Sequence, residues 1–294
     1  MKATTAAERV LRELPAGEPL YAVLDGARDR HVRGWVLDLR QPAWCLFRGD
    51  IPAALENAAP WLLKLVPGAP STARFFEEAW DLAWGILLTS AAPSRELRRH
   101  LRRFFVVRRE SGERMFFRYY DPRVLRVYLP HCTPEESARF FGPLSAMAAA
   151  GAEPDAVHIF RRPEGAPEAP PPTALSALTV REAQMEALGD ALRQSFVARA
   201  TAHLQAQFPE YFRSLGKERV AKSIAIAMEK RRQYGFDSEE TVLLYLDAMY
   251  LLSFDFDDSS AWPWAKQTMS DADLSARTRL LLVNERAWKE VQAG

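Results

Sequence analysis

Residues 161–175 read RRPEGAPEAPPPTAL. This run is rich in Pro and Ala, ends in three consecutive prolines at Pro170, Pro171 and Pro172, and offers no apolar pattern to pack. Proline fixes φ and removes a backbone donor, so such a stretch reads as a semi-rigid extended linker. It divides the chain into a region 1–162, a linker 163–175 and a region 176–294, and the hydropathy pattern differs on its two sides.

Upstream, short aliphatic and aromatic runs alternate with helical patterns. LYAVL (20–24), AWCLF (43–47), WLLKL (61–65) and WGILLT (84–89) are bounded by Gly, Pro, Asp or Ser and read as buried strands. Helical spacing occupies 71–81 and 94–104, FFVVRRESGERMFFRYY predicts a hairpin about Ser111 and Gly112, two helices are expected over 121–144, and AVHIF (156–160) closes the region as a strand. Downstream the pattern is helical only. Thr179 followed by Glu182 has the spacing of a capping box, and Met185, Leu188, Leu192, Phe196, Ala200 and Leu204 form the apolar stripe of the helix it would open. Further helices are predicted over 217–234, 239–253 and 274–291, with Gly235 as a left-handed C-cap and Asp237 opening the next helix. The expected fold is therefore an α/β (α+β, mixed-sheet) N-terminal domain followed by an all-α helical C-terminal domain.

Length and charge agree with two domains. The 294 residues exceed the usual single-domain size, and 48% are hydrophobic, which is globular. The net charge of +1 conceals an asymmetry: 24 Lys and Arg against 19 Asp and Glu in 1–162, and 15 against 19 in 163–294. No apolar run is long and uncharged enough to span a bilayer, and Glu8, Arg9, Arg12 and Glu13 interrupt any secretory h-region, so a cytoplasmic protein is expected, with no membrane partner. Cys45 and Cys132 are the only cysteines and are read as reduced core thiols.

Catalytic and ligand-binding motifs are missing. The phosphate loop, the dinucleotide fingerprint, the nucleophile elbow and the zincin helix all lack their residues, so no catalytic residue, cofactor or metal is assigned. His131 and Cys132 are adjacent but bring no further ligands by sequence, and are read as a loop pair before a helix cap at Thr133. Asp255, Asp257 and Asp258 lack the glycine and distal glutamate of a calcium loop and are read as a solvated turn. Asp121 before Pro122 suits an N-cap, with Arg123 and Arg126 bridging to acidic neighbours; a catalytic carboxylate-arginine site is the alternative, although no nucleophile or base lies beside them in the sequence. Over 94–109, Arg95, Arg98, Arg99, Arg102 and Arg103 recur at helical spacing opposite Leu97, Leu101, Phe104 and Phe105. This basic face has three readings: a solvated surface, a dock for an acidic protein, or a nucleic-acid contact, the last disfavoured by the near-neutral chain.

Seven segments, LDGARD (24–29), WCLFRG (44–49), APWLLKL (59–65), WGILLTS (84–90), LRRHLRRFFVVR (97–108), FFRYYDPRVLRVYLP (116–130) and CTPEESARFFGPL (132–144), resemble in sequence and spacing the effector chaperones, or adaptor proteins, of bacterial type VI secretion. The resemblance covers roughly 18–162, and Tyr120-Asp121-Pro122-Arg123 is its most specific block; the helical tail resembles the one that often follows this domain. It implies a non-enzymatic protein, without cofactor, that binds the N-terminal region of one cognate effector and helps load it onto the VgrG spike. The resemblance supplies no contact residues. Interfaces favour aromatics and arginine, which makes Arg98, Arg102, Tyr120, Arg123 and Arg126 the partner-binding candidates. Asp25 and Gly26 are read as a structural turn with Gly26 at positive φ, and Trp80 and Trp84 as core.

Overall fold

A computed structural model of the chain describes residues 2–153, 155–163, 165 and 178–293. Of the expected linker 163–175, residues 164 and 166–175, with Pro170, Pro171 and Pro172, lie outside the described residues. Two compact units divide at Ala191 and Leu192.

The first unit is built on a six-stranded sheet. Its strands are β1 (Leu20–Asp25), β2 (Ala43–Cys45), β3 (Pro60–Leu65), β4 (Gly85–Thr89), β7 (Ala146–Ala150) and β8 (Val157–Arg161), in the order β2-β3-β1-β4-β7-β8. Every pairing in it is antiparallel, including Leu20 opposite Leu65 and Val23 opposite Ile86. Three segments form a smaller sheet: β5 (Val106–Arg109) and β6 (Arg114–Phe116) make the expected hairpin, and β9 (Thr179–Val180) runs parallel to β5.

Both faces of the larger sheet are covered, which explains why its central strands read as continuous apolar runs instead of alternating ones. Tyr21, Val23, Ile86 and Leu88 face a core shared with α5 (Ser94–Arg102), α6 (Pro122–Tyr128) and α7 (Pro134–Phe141). On the opposite face, Leu20, Ala22, Leu24, Leu63 and Leu87 pack with Val10 of α1 (Lys2–Glu13), with Trp35 and Val36 of α2 (Val32–Asp38), and with Phe75 of α4 (Pro70–Phe75). Trp80 and Trp84 lie in this second core, as expected. A short α3 (Ala53–Asn57) precedes β3.

Two glycines are fixed by close approach. A Cβ on Gly85 would lie 1.9 Å from the carbonyl oxygen of Val23, and one on Gly26 would lie 2.4 Å from that of Asn57. Gly26 is therefore required by backbone contact, and not by the positive φ that its place in a turn suggested. The edge strand β2 is half-buried, contrary to its reading as a buried strand.

The second unit is helical: α8 (Glu182–Gln207) carries the chain into it, followed by α9 (Pro209–Tyr234), α10 (Glu239–Leu251), α11 (Pro263–Met269) and α12 (Ala276–Ala293). Its core joins Leu204, Ile224, Tyr245, Leu246 and Val283. Gly216 breaks α9 at φ 75°, and Gly235 caps it in the left-handed region at φ 69°, as its sequence position implied.

Three details of the helical reading change. The box expected at Thr179 and Glu182 does not form. Thr179 belongs to β9, and the helix begins two residues later than that box required, with the Arg181 amide donating to the Gln184 side chain at 2.8 Å. The next helix is capped by Ser238, which accepts from the Thr241 amide, instead of opening at Asp237. Leu192 is 56% exposed and interrupts the buried stripe.

Asp257 also departs from expectation. It is buried, and accepts hydrogen bonds from Lys230 Nζ at 2.5 Å and Tyr234 Oη at 2.8 Å, so this carboxylate ties α9 to the turn after α10 instead of facing solvent. Asp258 pairs with Lys266 at the surface.

Candidate functional site

The partner-binding candidates separate into two places within the first unit. Tyr120, Arg123 and Arg126 belong to a polar cluster beyond the ends of β1 and β7, and Arg98 and Arg102 to the basic face of α5.

The polar cluster is organised by two buried carboxylates. Asp121 caps α6: its side chain accepts the Arg123 amide at 2.9 Å, Pro122 occupies the first helical position, and the Arg123 guanidinium returns to the same carboxylate at 2.5 Å. Burial raises the carboxyl pKa, but the hydrogen bonds and charge of Arg123 outweigh it and hold Asp121 below the usual carboxylate range. Asp25, at the end of β1, accepts the Ala27 amide at 3.0 Å and is paired with Arg118. Burial here prevails over Arg118 and lifts Asp25 above the usual range.

Arg126 donates to the carbonyl of Ala150 at the end of β7, and so satisfies backbone instead of bridging to an acidic neighbour. Tyr120 is 1% exposed, inside the aromatic core with Phe105 and Tyr119, so its expected place on a partner surface is not met. Arg118, 93 residues from Asp25 in the chain, had no local signal that could have revealed its role.

The basic face forms a groove. Arg48, Pro93, Arg95, Glu96, Arg99 and Arg102 line a concavity of about 480 Å³ between α5 and the segment that follows β2. Leu97 and Leu101 are buried on the opposite side of α5, as the spacing required. Arg102 is anchored by its Nε to the Leu46 carbonyl at 2.7 Å and by a second nitrogen to the Cys45 carbonyl at 3.2 Å. Those carbonyls continue the edge strand β2, so Arg102 covers hydrogen-bonding groups that an edge otherwise exposes. Arg98 lies over the Trp44 ring, 5.2 Å from its centroid.

The cations of α5 crowd one another. Burial lowers the pKa of Arg102, and the charges of Arg48 and Arg98 lower it further; Arg103 is lowered by burial and then by Arg99 and Arg139. Neither Arg48, Arg95 nor Arg99 has a carboxylate within 4.0 Å among the described residues. The sequence signalled the α5 arginines. Arg48 carried no such signal, because only the fold brings it to the groove.

The cysteines and histidines hold structural positions. Both thiols are half-buried; burial raises the pKa of Cys45, and that of Cys132 to about 12, so Cys132 is protonated at neutral pH. His131 donates within its own turn, from Nδ1 to the Val127 carbonyl at 2.7 Å, and the helix cap expected at Thr133 forms, as a capping box with Glu136. Among the described residues no group of three or more His, Cys, Asp and Glu side chains is placed to hold a metal ion, and no helix is long and apolar enough to cross a membrane.

Residues 20–139 match the family described as a domain of unknown function, DUF4123. The match begins at β1 and ends within α7, so it takes in Asp25, both arginine clusters and the Asp121 cap. No curated protein and no solved structure matches the chain.

Proposed function

We propose that this protein is a non-enzymatic, cytoplasmic adaptor chaperone of type VI secretion, which binds one cognate effector through that effector's N-terminal region and helps mount it on the VgrG spike. The observation that carries this reading is the family match over 20–139, which coincides with six of the seven sequence segments that resemble these chaperones and overlaps the start of the seventh. Two structural features support it. Asp121 and Arg123 are spent on a helix cap and an ion pair, which fits a scaffold better than the catalytic site their spacing left open. The α5 groove carries uncompensated arginines beside exposed aromatic surface, the composition of a protein interface.

The test is co-expression of the chain with the product of each neighbouring effector gene and with VgrG. A stoichiometric complex with one effector, stable through purification, is the expected result. Failure to bind any adjacent gene product or spike protein would sink the proposal.

A further inference from the structure

The arginines that sequence alone nominated for binding are partly used up by the fold. Arg102 holds the Cys45 and Leu46 carbonyls, and Arg98 packs on Trp44. What these contacts leave in the groove is Arg48, Arg95 and Arg99, with Glu96 the one carboxylate among the lining residues. Gathering like charges costs free energy unless something compensates them; Glu96 offsets at most one of the three, and none of them has a carboxylate within 4.0 Å among the described residues.

An apolar patch adjoins the groove. Phe47, the residue before Arg48, lies 6.2 Å from the Phe116 ring, and Phe116 is 48% exposed. Its cross-strand partner Val106 is 39% exposed. A cationic concavity flanked by exposed aromatic and aliphatic groups complements a segment that alternates carboxylates with apolar side chains. It suits a nucleic acid less well, because that ligand asks for a wider basic footprint than one helix face of a chain whose net charge is +1.

We infer that the groove between α5 and residues 45–48 is a docking site for an acidic, apolar-containing segment of a partner protein, whose carboxylates pair with Arg48, Arg95 and Arg99 while an apolar side chain covers Phe47 and Phe116. Arg98 and Arg102 are positioning residues that hold β2 and the groove wall. The inference rests on the adaptor reading only for the partner's identity as the effector.

The experiment has two arms, both with the full chain. In the first, fluorescence anisotropy follows a fluorescein-labelled eight-residue peptide of alternating glutamate and leucine at low salt, with R48E/R95E/R99E compared against a matched reversal on α9, R213E/R219E/K222E, after circular dichroism shows both folded. The groove variant is expected to lose at least about tenfold in affinity, and the control to stay within about twofold of wild type. Equal loss in both variants, or no loss in either, overturns the inference. So does tighter binding of a 20-nucleotide single strand that the groove variant abolishes, since that assigns the groove to nucleic acid. In the second arm the groove variant is co-expressed with the effector that wild type retains. Loss of the complex is expected; retention overturns the groove assignment while leaving the adaptor reading intact. Should wild type retain no effector, the adaptor reading fails, and the peptide arm alone decides the groove.

Discussion

His100 offers a quantitative test of the core that supports the groove. It sits on the inner side of α5, 4% exposed, with Nε2 2.8 Å from the Phe140 carbonyl, to which it donates, and its ring is 5.0 Å from that of Phe104. Burial, reinforced by the charge of Arg103 and opposed by the Phe140 hydrogen bond, lowers its pKa from 6.5 to about 4. An unfolded chain therefore takes up this proton before the folded one does. The linked stability is unaffected above pH 6.5, falls as the pH drops from 6.5 towards 4, and is fully lost below that. The difference amounts to about 3 kcal/mol at the acid limit, and to about 2 kcal/mol at pH 5.

The perturbation is His100→Gln, which keeps a donor for Phe140 and removes the titration. Urea unfolding is followed by fluorescence of the buried tryptophans of the first unit, Trp35, Trp61, Trp80 and Trp84, at pH 7.5 and pH 5. Wild type is expected to lose about 2 kcal/mol more than the variant over that interval. Equal losses, or an imidazole that titrates near 6.5 by NMR in the folded protein, would refute the reasoning.

Three further outcomes follow from single contacts. Asp121→Ala removes the α6 cap and leaves Arg123 without its buried partner; it should cost about 2–4 kcal/mol in chemical denaturation, and Asp121→Asn, which keeps a capping oxygen, should cost less. Gly85→Ala places a methyl 1.9 Å from the Val23 carbonyl oxygen and must displace β1 from β4, so the variant should melt far below wild type or fail to fold. Arg102→Ala uncovers the Cys45 and Leu46 carbonyls; amide exchange in β2 and the segment after it should accelerate while β1 and β4 keep their protection.

Much of this architecture is legible in the sequence because its physical cause is local. LYAVL, WLLKL and WGILLT are apolar on both faces, and each becomes a strand buried on both faces. The hairpin at Ser111 and Gly112, the Asp121 and Thr133 caps and the Gly235 stop are written within a few residues. β7 escaped because its sequence, AMAAA, has the propensity of a helix. Its alanines are nonetheless fully or nearly buried between two packed layers, and tertiary packing decides their conformation.

The candidate site was legible only in part. The α5 arginines follow from helical spacing, but which of them the fold consumes depends on the Cys45 and Leu46 carbonyls, more than fifty residues away in sequence. Arg48 joins them only in three dimensions. Tyr120 stands beside charged residues in the sequence, which suggests surface, whereas its ring completes an aromatic cluster with Phe105 and Tyr119. Asp257 lies in an acidic run that reads as solvated, and only the fold brings Lys230 and Tyr234 of the preceding helix to meet it.

The central claim is that the chain works by gripping another protein. Its most direct test is size-exclusion chromatography with light scattering on the chain co-expressed with the product of each neighbouring gene. Co-elution with one of them at a fixed stoichiometry, persisting on dilution, is the predicted result; separate elution from every one, and from VgrG, would contradict it.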